Sequence, residues 1–170
     1  DCSVLTNATL LEDQDIEFLI DIGMKSILVT FDGVGKLHDT VRGREGAFEK
    51  ASQTVKKLIS YREKKTKSYP EIYINSVVNP ENQQYITEIA DYFADINVDR
   101  MFFTTVWFYT KELAEKHNKI YANTPYVLDK TVGGMYAHDN LKGLDIELQF
   151  KKIQEIREKH GNKNIYLWPK

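Results

Sequence analysis

The sequence predicts an α/β fold built on a parallel sheet, and three observations carry that reading. Strand-like and helix-like periodicities alternate five times along 170 residues. The best-defined strand segment, Ser26-Ile27-Leu28-Val29-Thr30-Phe31, is continuously apolar and β-branched rather than alternating, as in a strand covered by helices. Each helix-like segment is long enough to serve as the crossover that parallel neighbours require.

Taken in order, Ser3-Val4-Leu5-Thr6 is a short β-prone run closed by Asn7. From Leu10 to Gly23, Leu11, Ile16, Leu19 and Ile20 fall at helical spacing, with Gly23 suited to a C-terminal cap. After the strand at Ser26–Phe31, the segment from Asp32 to Gly46 holds Gly33, Gly35, Gly43 and Gly46 and shows no periodicity. We expect a long loop there, and loops of that length in a compact domain are generally functional. Ala47, Phe48, Ala51, Val55, Leu58 and Ile59 make one apolar stripe to about Glu63, and Arg62-Glu63-Lys64-Lys65 is expected to be a solvated helix end.

The pattern then repeats. Glu71 to Val78 is a strand closed by Asn79-Pro80, and Tyr85 to Ile96 is a helix with Ile86, Ile89, Phe93 and Ile96 on its stripe. Arg100 to Phe108 is a third such strand, followed by a helix from Lys111 to Tyr121. Ala122 to Gly143 reads as an irregular excursion. Leu148, Ile153 and Ile156 set a last helix to His160-Gly161, and Asn164 to Trp168 is a final strand stopped by Pro169. The topology is then either a doubly wound open sheet or part of a (β/α) barrel, and both place ligands at the C-terminal ends of the strands.

Composition narrows the function classes. Twenty-three Lys and Arg against 25 Asp and Glu give a net charge of -2, so no global positive field exists to hold nucleic acid or an anionic membrane. A chain this size supports a single domain, residues 1–170, with one core. Cys2 is the single cysteine, which cannot form an internal disulfide or by itself build a metal cluster, and this favours a reducing, cytoplasmic setting. No run of about 18 apolar residues is present, so no membrane span is expected. The opening Asp1-Cys2-Ser3 has neither a start Met nor a basic targeting region, and suggests a chain cut from something longer.

The strand ends supply the candidate chemistry: Thr6-Asn7, Thr30 with Asp32-Gly33, Asn75 to Asn79, and Thr104 to Trp107. Ordinary turn chemistry accounts for an isolated Asn7 or Asn79. It does not account for Thr30, Asp32, His38, Asp39 and Arg42 all falling within 13 residues after a buried strand. The guanidinium of Arg42 beside Gly43 suits two-point capture of a carboxylate, and Thr30 and Asp32 suit sugar hydroxyls. The competing reading is that Arg42 pairs Asp32 or Asp39 only to fasten the loop. Asn75, Thr105 and Trp107 are candidate pocket residues at neighbouring strand ends. Gly33-Val34-Gly35 lacks the third glycine of a dinucleotide fingerprint, the four histidines have no metal-ligand spacing, and there is no Gly-x-Ser-x-Gly elbow.

Leu5-Thr6-Asn7-Ala8-Thr9-Leu10-Leu11, Ile27-Leu28-Val29-Thr30-Phe31-Asp32-Gly33, His38-Asp39 with Arg42-Gly43, and Gly46-Ala47-Phe48 follow one another in an order and spacing that resemble the radical S-adenosylmethionine (SAM) superfamily. The likeness is to its branch with SPASM- or twitch-type C-terminal extensions, which includes anaerobic sulfatase-maturing and peptide-modifying enzymes. There the text runs TNGTLL, a strand ending in SLDG, HDxxRG and GxFxK. The match is tight over about residues 4–62, loose from 70 to 109 and nearly absent beyond 110. The resemblance implies a partial (β/α)6 barrel represented by its third to sixth units, with the first one or two strand-helix units missing, 1–109 as barrel units and 110–170 as an extension.

It further implies that Thr30 stands for the family's strand-end Ser and, with Asp32, faces the ribose of SAM, and that Arg42 partners the methionyl carboxylate, with Asn7 at the same rim as a further SAM-binding residue. The intact parent would hold a four-iron four-sulfur (4Fe-4S) cluster on three thiolates, reduce and cleave SAM to a 5'-deoxyadenosyl radical, and abstract hydrogen from a peptide or small-molecule substrate. Ala8, Thr30 and Phe31 depart mildly from the pattern. The cluster motif CxxxCxxC and the Gly-Gly-Glu motif are absent, so no cluster is expected on this fragment alone, and a homo-oligomer is expected to cover its open edge. The alternative is a non-enzymatic α/β binding or scaffold module without the cluster.

Overall fold

A computed structural model describes residues 2–105, 111–125, 143–161 and 164–168. Five strands form one all-parallel sheet in the order of the chain: β1 (Ser3–Thr6), β2 (Ser26–Thr30), β3 (Glu71–Val78), β4 (Arg100–Thr105) and β5 (Ile165–Trp168). A doubly wound sheet reverses its strand order at a switch point. Sequential order without reversal, with crossovers of one hand, instead sets the connecting helices on one face. The sheet is singly wound, as a partial barrel of the radical SAM type would be.

The connecting helices are α1 (Asp13–Asp21), α2 (Lys36–Arg42), α3 (Ala47–Lys64), α4 (Ile86–Asp95), α5 (Lys111–Ile120) and α6 (Ile146–His160). Alternate strand residues point to that side and form the core. Ile27, Val29, Ile72, Ile74, Val78, Met101, Phe103 and Ile165 pack with Ile16 and Ile20 of α1, Ala51, Val55 and Leu58 of α3, and Ile89 and Phe93 of α4. Phe31 sits at the centre, 4.5 Å from Phe93 and 5.9 Å from Phe48 between ring centroids. The other set of alternate residues stays partly exposed: Leu5, Leu28, Tyr73 and Arg100 form one row, and Thr30, Asn75, Phe102 and Tyr166 the next.

Two expectations need correction. The segment Asp32–Gly46 is not a loop throughout, because Lys36–Arg42 forms the two-turn helix α2, which buries His38 and ends at Gly43 in the left-handed conformation (φ 62°). Seven residues between glycines are too few to display a helical period. Nor is Arg62 solvated: it is 9% exposed and its Nη1 donates to the Pro70 carbonyl at 2.8 Å and to Asp99 at 2.5 Å. Its place on the buried side of α3 follows from the i, i+4 spacing after Leu58. Residues 106–110 and 126–142, including Trp107 and most of the expected excursion, lie outside the described residues.

Candidate functional site

The site is built where β2 ends. Thr30 is the last residue of the strand and Asp32 lies in the turn that follows, so both reach the C-terminal rim of the sheet. The turn is tight because Gly33 has no side chain: a Cβ there would lie 2.6 Å from Cγ of Leu37. Helix α2 can therefore fold back against the strand end and deliver Arg42 from its last turn. Arg42 Nε approaches Asp32 Oδ2 at 2.6 Å, and Nη2 donates to Thr30 Oγ1 at 2.9 Å. The Asp32 side chain is 8% exposed and that of Arg42 36%, so the pair is anchored inward and open outward.

A guanidinium carries five N–H donors in a fixed plane. Two are used on Thr30 and Asp32, and the Nη1/Nη2 edge of a guanidinium is one that can meet a carboxylate with two parallel bonds. The fastening role and the binding role are thus compatible in one side chain.

The rest of the His38–Gly43 segment is scaffold. Asp39 accepts from the backbone N–H groups of Gly46 and Phe48, at 2.8 Å each, which satisfies otherwise orphaned donors at the start of α3. These bonds, Phe48 first and Gly46 next, hold its carboxyl below the usual carboxylate range. His38 is 1% exposed and its Nδ1 accepts from the Asp32 N–H at 3.1 Å. Burial pushes its pKa down, with Asp32 opposing and Arg42 adding to the shift.

The other predicted residues take different places. Asn7 is exposed, and its Oδ1 accepts from the backbone and hydroxyl of Thr9 at 3.2 and 3.0 Å in the turn after β1. Asn75 is in register with Thr30 and accepts from Thr104 Oγ1 at 3.0 Å. Thr105 points the other way, toward α6, where it bonds Gln149 at 3.3 Å. The structure thus brings Thr30, Asp32 and Arg42 together, with Asn75 and Thr104 alongside. Sequence reasoning missed Asn82, which is fully buried and donates from Nδ2 to the carbonyls of Asp32 (3.1 Å) and Val77 (2.9 Å). An Asn two residues past a Pro signals a turn but not burial.

Among the described residues no group of three or more His, Cys, Asp and Glu could hold a metal ion, and the one cysteine, Cys2, is exposed. These residues do not fit an iron-sulfur cluster. Nor is any described helix long and apolar enough to cross a membrane.

No family model matches the chain. It is similar to the sporulation killing factor maturation protein SkfB of Bacillus subtilis, 23% identical over 170 residues that cover 98% of this chain and 34% of that protein. It is also similar to the tungsten-containing aldehyde ferredoxin oxidoreductase cofactor-modifying protein of Pyrococcus furiosus, 29% identical over 98 residues, 58% of this chain and 28% of the relative. The chain therefore spans about a third of the length of these relatives. At low identity, both similarities support a relation to the radical SAM family that the motifs resemble.

Proposed function

We propose that this chain is the SAM-binding part of a radical SAM-type domain, a partial barrel in a cytoplasmic protein that modifies a peptide, a protein or a small molecule. The observation that carries the reading is the Thr30–Arg42–Asp32 set, in which a partly exposed guanidinium is fixed by two neighbours. In this reading Arg42 receives the methionyl carboxylate, Asp32 balances the guanidinium charge, and Thr30 and Asp32 border the ribose. The names of the two relatives, a maturation protein and a cofactor-modifying protein, support the substrate class. SAM supplies the reactive alkyl group. No cleavage step is assigned to these residues, because a cluster would need ligands that they do not provide. Calorimetric titration tests the reading: the full-length protein should bind SAM, and a protein that shows no heat of binding with SAM up to millimolar concentration would overturn it.

One observation favours a second reading. A single cysteine, with no three-ligand group among the described residues, also suits a non-enzymatic α/β module that has no cluster. The upstream coding sequence separates the two: three cysteines spaced CxxxCxxC support the enzyme, and their absence supports the module.

A further inference from the structure

We propose that His38 and Asn82 are positioning residues which grip the Asp32 peptide from its two sides and so set the Asp32–Arg42 pair in the geometry that receives a carboxylate; this rests on the SAM reading above. Asp32 lies just past the end of β2, where its N–H and C=O leave the strand ladder. Both groups are buried, and both find side chains rather than backbone. The N–H donates to His38 Nδ1 at 3.1 Å, and the C=O accepts from Asn82 Nδ2 at 3.1 Å.

Each clamp is itself immobilised. His38 is wedged with its ring centroid 5.3 Å from that of Phe31 on the β2 side and 6.1 Å from that of Phe48 on α3. Asn82 has no exposed surface and uses its whole amide, since Nδ2 also reaches Val77 O at 2.9 Å and Oδ1 accepts from the Asn79 N–H at 2.8 Å. The turn after β2 is thereby locked to the loop after β3. Among the described residues neither side chain hydrogen-bonds Arg42, so each sets the geometry of the pair through Asp32.

The chemistry fixes the state of the imidazole. A backbone N–H can only donate, so the nitrogen facing it must carry a lone pair, and His38 has to be neutral with its proton on Nε2. Asp32 from the turn and Asp39 and Arg42 from α2 are the charged groups around it, while α3 presents Phe48. Protonation would place a donor against a donor and release the Asp32 peptide. SAM affinity should therefore fall as the solution is acidified below the ordinary histidine range.

The test is a SAM titration of the full-length protein and two variants between pH 5 and 8, with thermal unfolding recorded alongside. His38→Asn offers a carbonyl oxygen near the position of Nδ1 and cannot titrate. It should bind within about threefold of the unsubstituted protein and lose the acid fall-off. His38→Phe fills the space without an acceptor and should bind about tenfold more weakly at pH 7. A His38→Phe protein that binds SAM normally, or a His38→Asn protein that keeps the acid fall-off, would overturn the positioning role alone. Absence of SAM binding by the unsubstituted protein would overturn the underlying reading and this one with it. If His38→Phe does not fold, the ring-nitrogen resonances of the unsubstituted protein decide: a protonated Nδ1 at pH 7 refutes the clamp.

Discussion

Arg42 divides its donors between the fold and the open rim, and that division orders the effects of substitution at the site. Two charge-assisted bonds to a carboxylate are worth on the order of 1.5–3 kcal/mol, or about 10- to 100-fold in affinity. Lysine keeps the charge and loses the fork. We expect Arg42→Lys to weaken SAM binding by about one order of magnitude and Arg42→Ala by somewhat more. Thr30→Val removes a neutral hydroxyl that anchors Arg42 and should cost about 1 kcal/mol. Calorimetry on the cluster-loaded parent checks the order; an Arg42→Ala protein with unchanged affinity would reduce Arg42 to a loop fastener.

Asp39 makes a separate prediction at the same scale. Its folded pKa is depressed by the Phe48 and Gly46 N–H groups, so its stabilising effect is complete above the unfolded value of 3.8 and is lost as pH falls through the lower folded value. Asp39→Asn should lower the thermal midpoint at pH 7 and flatten its decline in strong acid. An unchanged pH profile would contradict the capping role. That Asp39 and His38 are scaffold while Arg42 faces outward was not legible in the sequence, where all three are polar residues in one short stretch. Ala8 is legible in retrospect: it has a positive φ of 57°, a conformation that suits the glycine of the family's text.

At the scale of elements, the long strands and helices were readable because each obeys one period over enough residues: β3 alternates buried and part-exposed positions along all eight, and α3 holds its stripe for 18. Helix α2 escaped because it is only two turns long, and its buried face is a histidine rather than an aliphatic run. The end of α3 departs from expectation for another reason, since a basic side chain near a helix terminus is normally solvated. Here Arg62 is used as a tie: it meets Asp99 just before β4, and Asp99 also accepts from the Ile72 N–H at 2.6 Å. One carboxylate thus joins α3, β3 and the approach to β4. Removing the cation leaves Asp99 and the Pro70 carbonyl short of a partner, and because Asp99 is partly exposed the loss falls below that of a fully buried pair. Arg62→Met should destabilise the fold by about 2 kcal/mol, read as a lower midpoint in urea with unchanged slope; a shift under about 0.5 kcal/mol would show that water replaces the tie.

At the scale of the molecule, the described helices cover one face of the sheet, and among the described residues nothing covers the other. All-parallel sheets ordinarily have both faces covered. Here Leu5 is 67% exposed and Tyr166 37%, and the aromatic rings of Tyr73, Phe102 and Tyr166 run in contact across that face, with centroids 5.7 and 5.1 Å apart. Among the described residues β1 pairs only with β2, which leaves its outer N–H and C=O groups available to a further strand. An apolar row beside an unpaired edge favours association. We expect the 170-residue chain to form a homodimer or larger assembly at micromolar concentration, joined through the β1 edge and the Leu5 row. Leu5→Lys places a charge on that row without touching the core, so it should shift the assembly toward monomer while leaving the thermal midpoint of a dilute sample within a few degrees. Light scattering across a concentration series reads both outcomes. A stable monomer of the unsubstituted chain at high micromolar concentration would sink the idea, and an assembly indifferent to Leu5→Lys would move the contact away from β1.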